Sequence, residues 1–164
     1  MRYGYAILLC GCLIASGCDT ERLNKLEKEN ANLKAKLEQQ SAAMEYDLQA
    51  KCSKDARVWF NATWLRDKDT QLLDFTNHYN KSSNRCFVLV EYHFKENPGW
   101  SWVNDMTLTD VYENSKYGHF AEEHTIDLKS GKEPTDHVID CEVYGSKCTT
   151  IDQFNSLTNP YMNN

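Results

Sequence analysis

The sequence has no run of eighteen or more apolar residues, so no helix in it is built to span a bilayer permanently. It has no excess of positive charge. Its 18 Lys and Arg stand against 24 Asp and Glu, giving a net charge of -6 and a pI near 5.3. A nucleic-acid binder needs a basic face, and that class is excluded. Seven glycines and three prolines are too few for a collagenous or low-complexity chain. The glycines are also too scattered for a phosphate loop or a dinucleotide fingerprint, so no cofactor is expected. No Gly-x-Ser-x-Gly elbow is present. No Cys-x-x-Cys occurs, and after Cys18 no His stands at zinc-finger spacing from a Cys, so no metal centre is expected. What remains is a globular composition of 164 residues, 41% apolar and 12% aromatic, with seven cysteines.

Arg2 is the only charge before Asp19, and from Tyr5 to Ser16 the chain is apolar or small. A short positive start followed by about a dozen apolar residues describes a signal peptide over 1–17. Ala15-Ser16-Gly17-Cys18 resembles the bacterial lipobox, whose cysteine is acylated and becomes the new N-terminus. The resemblance implies lipidation at Cys18. Each buried methylene adds roughly 0.8 kcal/mol, so several acyl chains hold a protein where one would not. Asp19 after the cysteine resembles the enteric signal for inner-membrane retention.

Residues 18–51 form the expected anchor and stalk. Asp19 to Lys51 contains no Gly and no Pro. Leu23, Leu26, Leu33 and Leu37 occupy a and d positions of a heptad, with Asn30 at an a position between them. Charged residues fill the other faces. The pattern predicts a short coiled coil and a homo-oligomer through Leu23, Leu26, Asn30, Leu33 and Leu37. Gln40 weakens the next d position and Met44 resumes at a, so the seam is about three heptads. Six Lys and Arg against seven Asp and Glu make a polybasic membrane binder an unsuitable reading. The helical face continues through Leu48, Cys52, Ala56, Trp59, Phe60 and Thr63 to about Trp64.

Residues 52–164 are expected to be a disulfide-stabilised α+β domain. They carry eleven Lys and Arg and seventeen Asp and Glu. Their four cysteines, Cys52, Cys86, Cys141 and Cys148, are an even number in an exported chain and read as two disulfides. Three pairings are open. Cys52 with Cys86 and Cys141 with Cys148 is favoured, the first tying the helix to a strand and the second closing a short turn. Each bond contributes roughly 2–4 kcal/mol.

Cys86 to Phe94 is a strong strand, bounded by Asn-Lys-Ser-Ser-Asn before and Asn97-Pro98-Gly99 after. Ser101–Tyr112 predicts a second strand, broken around Asn104-Asp105. Tyr117–Ile126 predicts a third and His137–Tyr144 a last. The longest loop runs from about Leu128 to Asp136. Thr150 and Gln153 make a capping-box pattern opening a short helix that Pro160 closes. The expected architecture is a small antiparallel sheet of three to four strands, packed on one face by a long N-terminal and a short C-terminal helix.

Five sets of residues carry a resemblance: Asn77-His78-Tyr79-Asn80, the Cys86-Phe87 strand start, Asp110-Val111-Tyr112-Glu113-Asn114, the Cys141 and Cys148 pair, and Phe154-x-x-Leu157-x-x-Pro160-Tyr161-Met162. Together they resemble a group of small exported bacterial domains with four cysteines and no assigned activity, over roughly Cys52 to Met162. The resemblance implies a secreted, disulfide-stabilised domain and carries over no catalytic residue.

Chemistry is sparse. His78, in a polar stretch expected as a loop, is the candidate general base. His119 and His124 with Glu122 and Glu123 form a loose metal-binding pattern, better read as an exposed polar stretch near a turn. Asp110 and Glu113 are a possible acid and base pair, but such an enzyme needs a groove. Trp100 and Trp102 are two apart on a strand and share a face, either as a recognition patch or as a cover on the sheet. The candidate partner-binding residues are therefore Trp100, Trp102 and His78. The expected function is a lipid-anchored envelope protein facing the periplasm that binds, assists or inhibits. Compatible roles are an accessory subunit, an inhibitor of a cationic enzyme such as a lysozyme, and a phage-excluding protein. The alternative is a small periplasmic hydrolase using His78 or His93 with a carboxylate.

Overall fold

The computed structural model describes residues 16–97, 101–125 and 135–163. Residues 1–15 of the expected signal peptide and Trp100 lie outside them, as does most of the expected 128–136 loop. The chain divides into two compact units, Met1–Met44 and Glu45–Asn164. Helix α1 runs Ser16–Thr63. A long stretch of Leu, Lys, Glu, Ala and Gln without Gly or Pro propagates one helix, because these side chains lose little rotamer freedom there. Trp64 N–H still donates to the Phe60 carbonyl at 2.9 Å, and Leu65–Asp67 then turns the chain.

In the second unit six strands follow one another: β1 Thr70–Asn80, β2 Arg85–Asn97, β3 Ser101–Asp110, β4 Ser115–Thr125, β5 Thr135–Val143 and β6 Ser146–Lys147. They pair antiparallel in chain order, a simple meander. Helix α2, Ile151–Met162, ends the fold. The α+β class and both helices agree with the sequence reading. Three to four strands do not.

Two strands escaped that reading. The supposed polar loop holding His78 is the end of β1. In β1 Leu73, Phe75 and Tyr79 alternate toward α1 while Asp74, Thr76 and His78 take the other face. The polar residues between them hid a period of two. β6 exists because Tyr144 and Gly145 both adopt positive φ, 47° and 80°, the signature of a tight two-residue hairpin turn. The expected break at Asn104-Asp105 is also absent. Both side chains are spent across strands: Asn104 meets His124 at 2.8 Å and Asp105 meets His119 at 2.8 Å.

The helices pack on opposite faces of the sheet, not on one. Leu48, Cys52, Ala56, Trp59 and Phe60 of α1 join Leu73, Tyr79, Cys86, Val88 and Val90 in one core. Phe154, Leu157 and Tyr161 of α2 join Phe87, Leu108, Phe120, Cys141 and Val143 in the other. Alternation along β2 divides Cys86, Val88 and Val90 from Phe87 and Leu89. Gly118 admits β5 closely, since a β-carbon there would lie 3.0 Å from Val143 Cγ2 and 3.3 Å from the Glu142 carbonyl oxygen.

Each core carries a disulfide. Cys52–Cys86 joins α1 to β2, and Cys141–Cys148 joins β5 to the segment leading into α2. The Thr150 hydroxyl caps α2 by accepting from Gln153 N–H, and the Gln153 side chain accepts from Thr149 N–H at 2.8 Å. Pro160 does not close the helix. It sits inside the last turn, and Asn163 N–H still reaches the Asn159 carbonyl at 2.9 Å.

Candidate functional site

Both sheet faces carry polar and aromatic cross-strand rows outside the two cores. The α2 side is built from cross-strand rows. His93 of β2 pairs with Asn104 of β3, which pairs with Glu122 of β4. In the next row Lys95 pairs with Trp102, and Trp102 with His124. Beyond His124 stands Asp136 of β5. Side chains directly opposite on one face of antiparallel strands lie close enough to interact.

The contacts are specific. The Trp102 and His124 rings stack with centroids 5.2 Å apart and an interplanar angle of 17°. His124 Nδ1 lies 2.7 Å from Asp136 Oδ1, and its Nε2 lies 2.8 Å from Asn104 Nδ2 and 3.4 Å from Glu122 Oε2. His93 Nε2 pairs with Glu91 at 3.0 Å. The imidazole of His124 is thus held on both nitrogens and braced on its face. Trp102 is half-buried, with its ring held in one orientation. Among the described residues, Asp74, Glu91, Glu122 and Asp136 share this face with Lys95 and Arg85, and Glu122 and Asp136 are the two carboxylates beside His124. Aromatic rings held in a stack form a contact surface of the kind enriched in binding hot spots.

The α1 side of the sheet carries a second cluster. His119 bridges three strands: Nε2 lies 2.8 Å from Asp105 Oδ2 and Nδ1 lies 2.9 Å from Asp140 Oδ2. The Asp105 hydrogen bond, aided by Asp140 and opposed by burial, raises the His119 pKa above 6.5. Asp140 is correspondingly lowered, first by His119. Thr107 donates to Asp105, and Lys147 pairs with Glu142 beside Asp140. With both ring nitrogens engaged by carboxylates, this histidine ties strands together.

The remaining sequence candidates fall as follows. His119 and His124 lie five residues apart on β4 and leave it on opposite faces, so the pair cannot share one ion. Asp110 and Glu113 both bind the Arg85 guanidinium, at 2.5 and 2.6 Å. They form a hairpin clamp and not an acid and base flanking a groove. His78 pairs across from Phe87, eight residues along β2 from the Lys95 row. That separation is roughly 26 Å at 3.3 Å per residue, so His78 and Trp102 are not neighbours. The side chain of Cys18 lies outside the described set. Asn104, Glu122 and His124 escaped notice as one group with Trp102. Their only signal was polar residues at alternate positions of adjacent strands.

The residues that carried the resemblance are structural. Asn80 and Asp110 precede matching four-residue hairpin loops that end in Asn84 and Asn114, at φ 55° and 50°. Each caps its loop: Asn80 Oδ1 accepts from Ser83 N–H at 3.0 Å and Asp110 Oδ1 from Tyr112 N–H at 2.9 Å. Fold and site together define a disulfide-tied α+β meander with a stacked Trp102–His124 pair and two carboxylates on the α2 side of the sheet. No protein-family model, curated protein or solved structure matches the chain.

Proposed function

We propose that this chain is a bacterial envelope lipoprotein, anchored through acyl chains on Cys18 and facing the periplasm, whose second unit is a binding module for a cationic protein. The observation that carries the binding reading is the stacked Trp102–His124 pair, with Glu122 and Asp136 on its imidazole, in a chain of net charge -6. Aromatic side chains fixed in orientation bind at low entropic cost, and opposite charge steers the encounter. The anchor reading rests on the Ala15-Ser16-Gly17-Cys18 segment after an apolar run. The likeness to small exported four-cysteine domains is in keeping with both. Inhibition of a cationic envelope or incoming enzyme is the role this charge pattern suits best. The alternative is a small hydrolase using His78 or His93 with a carboxylate, and the contact that favours it is His93 Nε2 with Glu91 Oε1 at 3.0 Å.

The test uses the full chain in cells given labelled palmitate, beside Cys18→Ala, Trp102→Ala and Glu122→Gln. Label is expected on the native chain and absent from Cys18→Ala. A basic protein should co-purify with the native chain at low salt and be lost with Trp102→Ala or at high salt. Label on Cys18→Ala would remove the anchor. Undiminished capture by Trp102→Ala would remove the proposed surface.

A further inference from the structure

The first unit carries an apolar stripe that no described residue covers. Leu23, Leu26, Leu33, Leu37 and Met44 are 56%, 49%, 64%, 68% and 62% exposed, all on one helix. A helix with such a stripe gains its stability by burying it. From this stripe and its flanking charges we propose that α1 pairs with a second copy of this chain as a parallel, in-register, two-stranded coiled coil pinned by Asn30. The proposal goes beyond the lipoprotein reading and does not rest on it.

The residues beside the seam match themselves. With Leu23 at a, Arg22 and Glu29 hold g positions, and Glu27 and Lys34 hold e positions. In a parallel pair each g residue faces the e residue five further along the other chain. Arg22 then faces Glu27 of the second copy, and Glu29 faces Lys34, each twice by symmetry.

Orientation follows from Asn30. In the parallel in-register pair the two Asn30 amides meet and satisfy each other. The antiparallel alignment that sets Asn30 against Leu33 also brings opposite charges together, Glu29 with Lys36 and Glu27 with Lys34. However, it buries two amides against leucine, and an unsatisfied buried polar group is costly. Sliding the antiparallel pair until Asn30 meets Gln40 relieves the amides. That alignment sets Lys34 against Lys34 and Lys36 against Lys36, which repel. Only the parallel alignment satisfies both the amide and the charges, and a lone buried Asn favours two strands in fixed register.

The test mixes full-length chains of natural and heavy nitrogen, joins carboxylates to amines with a zero-length carbodiimide, and reads mixed-isotope peptides by mass spectrometry. Interchain Glu29–Lys34 links and a dimer in sedimentation are expected. Interchain Glu29–Lys36 or Glu27–Lys34 links would overturn the parallel arrangement. A monomer at micromolar concentration would overturn the pairing and assign the stripe to a lipid surface or another protein. Leu26→Asp with Leu33→Asp should give a monomer whose two disulfides and near-ultraviolet circular dichroism are unchanged. Persistence of the dimer in that variant would also refute the seam. Asn30→Leu should give more than one stoichiometry or mixed link patterns, and an unchanged single dimer would deny Asn30 its role.

Discussion

Asn80 shows how much one buried amide can hold. Its Nδ2 donates to the Pro160 carbonyl at 2.8 Å and to Tyr161 at 3.3 Å, while its Oδ1 accepts from Ser82 and Ser83. Carbonyls in the last turn of α2, which no helical N–H can reach, are thereby satisfied from the first hairpin. His119 is the titrating counterpart. Its pKa is raised in the folded state, so its contribution to stability is complete below about 6.5 and is lost as pH rises through the folded value. Asp140, lowered below 3.8, contributes above that value and loses its share as pH falls through its folded value. We predict that the urea midpoint of the native chain exceeds that of His119→Gln by most near pH 6, and by less at about pH 9. A difference that stays constant with pH would show that the two carboxylates do not set the charge of His119.

At the scale of elements, the meander depends on turns and one close approach. Asn84, Asn114, Tyr144 and Gly145 take the positive φ values that the hairpins need. Asn114 also accepts from the Trp59 indole at 2.9 Å, fixing α1 to the second hairpin. Gly118 is the close approach, set by Val143 and the Glu142 carbonyl of β5. A methyl group there would meet Val143, the Glu142 carbonyl and Phe154 together. Gly118→Ala should therefore destabilise by about 1–3 kcal/mol through overpacking. Chemical unfolding measures this, and a stability equal to or above native would mean that Val143 and the β5 backbone yield freely.

The whole second unit is two half-cores on either side of one sheet, each with its own disulfide. Cys52–Cys86 closes 34 residues and Cys141–Cys148 closes 7. Loop-closure entropy then favours the first, at about 4 kcal/mol against about 2.5 kcal/mol for the second. Cys52→Ser with Cys86→Ser should lower the urea midpoint more than Cys141→Ser with Cys148→Ser. The reverse order would show that the short link carries packing beyond chain entropy.

Much of this was legible in the chain. The heptad stripe, the four cysteines, the β2 run and the Thr150 cap are local patterns. Their spacing alone specifies an α-helix, an α+β domain with two cross-links, a central strand and a helix start. The lipobox-like segment is the basis of the proposed anchor. Tertiary structure decided what depends on partners distant in sequence. It made β1 a strand, because Leu73, Phe75 and Tyr79 find α1 on one side only. It put the two helices on opposite faces and separated His119 from His124. It brought Trp102, Asn104, Glu122, His124 and Asp136 from three strands into one cluster. Register between strands sets all of these, and a register has no signature in any single segment of the sequence.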